Sequence, residues 1–352
     1  MRIDPIFFNA GRWGLDYTPE QGQWSDKHVK PMIEKIGAVL PGGQNPHPVM
    51  YIDAASNDAA NLPPDIRRAW LHGERLFDKP VGSRNADNQH NGATRAVPFC
   101  GALGAWLATV PQTNPFFAII DSNECHHLSV PLAAWAFSAT PAGRAKIVVN
   151  FDAHNDIRSN TVVTDPLRCD NWGMYVLRQV GEVYPAPVAD VYVGIGNKQL
   201  TGADTWQDSF AFLAGRPSTK VKLGAGDMAA QLDKVIELLG DEGRKTWTGY
   251  DLYLTVDRDV ESSSFTDYGD GSYPPDEVWA TVKAFIEAAA RRRVRCAGFD
   301  ICGLPTVAGS SRVSTSWRSA ERIDRAIQDI TAYLAPIVDL SELRPSLLAS
   351  SR

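Results

Sequence analysis

From about residue 115 onward, short apolar runs alternate with longer stretches whose apolar positions recur at helical spacing. The runs "FFAIID" (116–121), "KIVVNFD" (146–152), "VADVYVGIG" (188–196), "KVKL" (220–223), "DLYLTVD" (251–257) and "VRCAGFDICG" (294–303) read as strands. Between them, "SVPLAAWAF" (129–137), "NWGMYVLRQVGEVY" (171–184), "DMAAQLDKVIELLG" (227–240, ending on a glycine) and "PPDEVWATVKAFIEAAARR" (274–292, opening on proline) read as helices. A last helix is predicted over 316–338. Strands alternating with helices predict an α/β fold, with a doubly wound, mostly parallel sheet covered by helices on both faces. Residues 1–115 are dominated by Gly-, Pro- and Asn-rich loop chemistry around one clear strand, "VMYIDA" (49–54). They are read as an elaborated N-terminal βα portion of a single domain spanning 1–352.

Composition narrows the function classes. The 352 residues are 44% hydrophobic and 22% charged, with a net charge of −6, which is ordinary for a globular protein. That balance argues against a broad nucleic-acid or anionic-membrane surface, and "RRRVR" (291–295) reads as a solvated helix end. No apolar run reaches membrane-spanning length and the N-terminus lacks a secretory pattern, so a cytoplasmic protein is expected. Five cysteines without a CxxC pair indicate neither a disulfide framework nor a thiolate zinc site.

The chemistry sits at strand ends. "KIVVNFDAHND" delivers Asp152, His154 and Asp156, which in an extended chain point to one side. A solvated Asp turn with a stray His would explain that motif alone. Two more predicted strands end the same way, however: "FFAIIDSNECHH" in His126 and His127, and "DLYLTVDRD" in Asp257 and Asp259. In parallel α/β sheets ligands gather outside the carboxyl ends of strands. Carboxylates with one or two imidazoles suit a hard or borderline divalent ion such as Mn²⁺, and four carboxylates in one cleft repel each other without about two such cations.

The order "DAHND" followed by "LTVDRD" resembles the arginase/agmatinase (ureohydrolase) superfamily over roughly residues 115–335. The resemblance implies a three-layer αβα sandwich holding two bridged Mn²⁺ ions. Asp152 and Asp257 would bridge, His126 and Asp156 would complete one site, and His154 and Asp259 the other. "NECHHLSVPL" departs from the family's Gly-Gly-Asp-His, so His127 stands as the alternative to His126. The implied reaction is amidinohydrolysis of a guanidinium to urea and an amine, with Asp156 carrying the proton. Trp172 falls where the family has a proton-shuttling His, and Gly303 where it has an acid that pairs with the substrate guanidinium. "NW" after the first motif and "DICGLP" are similar to an arginase-like group that includes peptide arginases, which convert arginine to ornithine within a peptide. The substrate implied is therefore a small guanidinium compound or an Arg-containing peptide. Asp270, in the acidic Gly-rich stretch 262–278, is the candidate substrate anchor, with Glu124 second; an ordinary Asp-Gly turn is the structural alternative for Asp270. Nucleic acid and membrane are not expected partners, and a homo-oligomer is compatible with the sequence. The other readings are a two-metal amide hydrolase or deacylase of the same fold, and a non-catalytic peptide-binding relative.

Overall fold

The structure, a computed structural model, describes residues 4–9, 50–53, 104, 107, 108, 116–120, 123–157, 167, 170–178, 186–197, 208–224, 226–243, 247–262 and 271–303. The strands are β1 (Asp4–Asn9), β2 (Met50–Asp53), β3 (Phe116–Ile120), β4 (Arg144–Phe151), β5 (Val191–Ile195), β6 (Ser209–Leu213), β7 (Arg216–Gly224), β8 (Gly249–Asp257) and β9 (Arg295–Cys302). The helices are α1 (Ser129–Ser138), α2 (Trp172–Leu177), α3 (Met228–Gly243) and α4 (Pro275–Arg291). The strands form one sheet in the order β2-β1-β3-β9-β8-β4-β5-β6-β7. Every pairing from β2 to β5 is parallel, while β5–β6 and β6–β7 are antiparallel.

Alternation along the central strands divides the core into two layers. Ala145, Ile147, Val149 and Phe151 of β4 and Leu252, Leu254 and Val256 of β8 pack with α3 and α4. Val148 and Tyr253 point the other way, into the cluster under α1 and α2. A helix layer therefore lies on each face, making an αβα sandwich. Burying a side chain such as Leu254 or Phe285 contributes roughly 1.5–3 kcal/mol. At the amino end of the central strands, the buried Asp251 carboxylate ties β4 to β9 by accepting from Arg144 Nε at 2.8 Å, Thr140 Oγ1 at 2.7 Å and Arg295.

The connections put a crevice at the opposite edge. From β4 the chain moves through α2 to β5 on one side, and from β8 through α4 to β9 on the other. β4 and β8 are neighbours, so the winding direction reverses between their carboxyl ends, where such sheets bind ligands.

Four local expectations are corrected. Of the helix predicted over 171–184, Trp172–Leu177 is helical and Arg178 is extended, the Val176 carbonyl accepting from the Ala189 N–H leading into β5, while 179–184 lie outside the described residues. α3 continues past Gly240 to Gly243, since a single glycine costs only about 1 kcal/mol in a helix. β1 and β6 were not anticipated; "SFAFL" is buried on both faces and lacks the alternation that marks a half-buried strand. The "KVKL" strand is longer, running Arg216–Gly224 along the sheet edge, where Lys220 and Lys222 blunt further pairing. The helix predicted over 316–338 lies outside the described residues. No helix among them is long and apolar enough to cross a membrane.

Candidate metal centre

The register of β4 and β8 builds the centre. Asn150 pairs with Thr255 and Phe151 with Val256, so the next residues, Asp152 and Asp257, stand side by side on the α1/α2 face. The short turn before α1, Asn123–Leu128, carries His126 over them. His126 Nδ1 lies 3.0 Å from Asp156 Oδ2, 3.1 Å from Asp257 Oδ2 and 3.5 Å from Asp152 Oδ2. None of the three is aligned for a hydrogen bond, although His126 is only 1% exposed. His154 Nδ1 lies 2.6 Å from Asp259 Oδ2 and 3.6 Å from Asp152 Oδ1. Donor atoms thus gather in overlapping groups among the described residues, two of which, His126–Asp152–Asp156 and Asp152–His154–Asp259, adjoin through Asp152. Among the described residues it is His126, not His127, that stands at these carboxylates.

The expectation that Asp152, His154 and Asp156 share one side of an extended chain fails at Asp156. β4 ends at Phe151, and Asp156 is left-handed, with φ 43°, a conformation Asp tolerates better than most residues. Its carbonyl accepts from Gly173 N–H at 3.0 Å, and a side chain at Gly173 would collide with Ile157 and Tyr192. This reversal turns the Asp156 carboxylate back beside Asp152. Backbone amides fix the other acids: His154 N–H donates to Asp152 Oδ1 at 2.6 Å, Asp259 N–H to Asp257 Oδ1 at 3.0 Å, and Ala153 N–H to Asp259 Oδ1 at 3.2 Å.

Around these side chains lies a buried polar layer. Trp172, at the start of α2, is fully buried, and its indole N–H donates to Asp156 Oδ2 at 2.6 Å while its ring packs between His126 and Tyr192. Trp172, expected where the family has its proton-shuttling His, thus lies behind the Asp156 carboxylate with its indole N–H on Oδ2. Asn150 Nδ2 donates to Asp152 Oδ2 at 2.9 Å. His126 Nε2 meets Thr255 Oγ1 at 2.9 Å, and Thr255 in turn donates to Asp300 Oδ1 at 2.6 Å. Asp300 also accepts from Ser129 Oγ at 2.9 Å and from the Tyr253 hydroxyl. The signal available for Asn150 and Thr255 was period two: each precedes a ligand-type Asp by two residues on the same face.

Of the substrate-anchor candidates, Asp270 lies outside the described residues, and so does the side chain of Glu124. Gly271 packs against the backbone oxygens of Asp259 and Val260 so closely that a Cβ would collide with them. Gly303 has φ 81°, a region that residues with side chains rarely adopt, which accounts for glycine at that strand end.

The electrostatics show what the centre requires. Burial and the Asp152 charge push the Asp156 carboxyl well above its ordinary range, and the same two causes push Asp257 up to about 7. Burial and the Asp257 charge likewise raise Asp259. Burial acts on Asp152 too, but His126 and His154 outweigh it and hold that carboxyl below its usual range. Contacts with Asp152 and Asp259 hold the His154 imidazole up to about 11. Burial opposes a charged His126, yet Asp152, Asp156 and Asp257 keep it well above the ordinary value. Four buried carboxylates and an unaligned, buried imidazole nitrogen therefore fit divalent cations of the hard or borderline kind.

A pH dependence follows. The Asp257 proton stabilises the metal-free fold fully below the ordinary carboxylate range, and that contribution is lost as the pH rises through about 7. The His154 proton's contribution is complete below the ordinary imidazole value and lost through about 11. A bound cation replaces such protons, so added Mn²⁺ is expected to raise Tm more at about pH 8 than at about pH 6, with protons released on uptake. Thermal scans showing an equal rise at both pH values would contradict this assignment of the protonated groups.

No protein-family model and no curated protein matches the sequence. Solved structures similar to the chain include an arginase from Helicobacter pylori, at 12% identity over 97% of this chain and 99% of that one, with a TM-score of 0.49. An arginase from Entamoeba histolytica in complex with L-ornithine gives 11% identity, 94% and 99% coverage and a TM-score of 0.48. A formimidoylglutamase from Bacillus subtilis gives 13% identity, 98% and 89% coverage and a TM-score of 0.48.

Proposed function

We propose that this protein is a metal-dependent hydrolase of C–N bonds of the arginase/agmatinase superfamily, acting on a guanidinium with two Mn²⁺ ions. The observation that carries this reading is the two adjoining donor groups at the carboxyl ends of β4 and β8, joined through Asp152. His126, Asp152, Asp156 and Asp257 would hold one ion, and Asp152, His154, Asp257 and Asp259 the other. When bound, such ions act as Lewis acids and make hydroxide available near neutral pH. Asp156 binds and releases the proton: Oδ2 is held by the Trp172 indole, leaving Oδ1 to carry it to the departing amine. The fixed Asp152 and Asp257 carboxylates keep the donor groups together, and the apolar layer under α1 and α2 keeps bulk water from their inner side.

The substrate proposed is arginine, free or within a peptide, giving urea and ornithine, with Asp270 as the guanidinium anchor. One observation favours a second reading, a two-metal amide hydrolase: Gly303 offers no acid where the superfamily resemblance leads one to expect it. The test is to incubate the Mn²⁺-loaded protein with arginine, agmatine and Arg-containing peptides, and to assay urea and the amine product. Urea from at least one of them is expected. Turnover of acylated amines with no urea from any guanidinium would transfer the case to the amide hydrolase.

A further inference from the structure

Asp257 and Cys302 are register partners at the ends of β8 and β9, so their side chains leave the sheet on the same face. One pair lower on that face stand Thr255 and Asp300, and it is Thr255 that holds His126 Nε2. The His126 ring is thereby anchored over the stripe whose next pair is Asp257 and Cys302. Donor atoms of His126, Asp257 and Cys302 all lie within 4.8 Å of one another, and all three residues are buried. Independently of the cysteine, His126 Nδ1 is a buried nitrogen with no aligned hydrogen bond.

We propose that Cys302 Sγ is a ligand on the His126/Asp257 side of the metal centre, making that position a mixed imidazole, carboxylate and thiolate site. The inference rests on the metal reading above and deepens it. On binding, the Cys302 thiol loses its proton to solvent and the sulfur lone pair bonds to the cation. Thiolate is a soft donor, so Cys302 raises the affinity of this position for Zn²⁺ and Co²⁺ relative to Mn²⁺ compared with the same position lacking it, while the His154/Asp259 side keeps only nitrogen and oxygen donors. The ordinary alternative is that Cys302 simply fills space in the apolar cluster to which it also belongs.

Cobalt distinguishes the two. Titrating Co²⁺ into the full-length metal-free protein is expected to produce an intense near-ultraviolet sulfur-to-cobalt charge-transfer band. Cys302→Ser and Cys302→Ala should lose that band while still binding cobalt, and in Cys302→Ser the preference for Zn²⁺ over Mn²⁺ should fall at least about tenfold. Wild-type protein that binds Co²⁺ without the band overturns the thiolate ligand and leaves the metal centre standing, whatever the variants do. A band that persists in both variants also overturns it, by assigning the sulfur elsewhere. Failure of the wild type to take up Co²⁺, Zn²⁺ or Mn²⁺ overturns this inference together with the metal reading.

Discussion

Asp152→Asn is expected to abolish metal binding on both sides of the centre and with it the proposed hydrolytic activity. Asp152 is the residue common to the His126 and His154 donor groups, and its two oxygens face different partners: Oδ1 takes the His154 amide, Oδ2 the Asn150 amide. Asparagine keeps the volume and one acceptor but removes the charge that both donor groups share. Losing a cation-binding carboxylate forfeits several kcal/mol of charge stabilisation, and about 4 kcal/mol is roughly a thousandfold in rate. Metal analysis should fall from the proposed two ions per chain towards none, and the Mn²⁺-induced rise in Tm should disappear while far-ultraviolet circular dichroism stays native. A variant that retains a full complement of metal would show that the two donor groups do not share a bridging acid.

The second large effect is expected at Trp172. Its indole N–H donates to Asp156 Oδ2 from a fully buried position, between the rings of His126 and Tyr192. Trp172→Phe keeps most of the packing and leaves a buried carboxylate oxygen short of its donor. Removing a partner of that kind costs about 1–3 kcal/mol in stability, and partners that orient metal ligands are commonly worth about 10- to 100-fold in affinity or activity. A donor favours the charged carboxylate, so its loss raises the Asp156 pKa further and moves the acidic limb of the pH–rate profile upward. That shift separates positioning from packing: a variant that is merely less stable, with an unmoved profile, would make Trp172 a core residue and nothing more.

Much of the scaffold was legible because its cause is local. Apolar runs such as "KIVVNF" and "DLYLTV" can be stable only when buried on both faces, which implies a helix-covered parallel sheet. β6 and β7 were harder to read. The antiparallel pairing that "SFAFL" makes with β5 depends on the neighbour presented to it, and nothing within five apolar residues specifies that partner. α2 shows the same dependence: residues 171–184 carry helical spacing, but the strand lead-in at Ala189 takes the Val176 carbonyl and the helix ends at Leu177.

For the site, the division falls along the same line. By itself the sequence determined which residue types end the strands, because metal-type acids and imidazoles at Asp152, His154, Asp257 and Asp259 have no use in a buried apolar strand. The tertiary structure decided how they are grouped. Parallel register between β4 and β8 brings Asp152 beside Asp257, although the two are distant in the chain. The left-handed turn at Asp156 sends that acid to His126 rather than to His154. Only the packed fold brings Trp172 of α2, Thr255 of β8 and the β9 residues Asp300 and Cys302 to one centre, because three separate elements supply them and no spacing along the chain encodes the meeting of those elements.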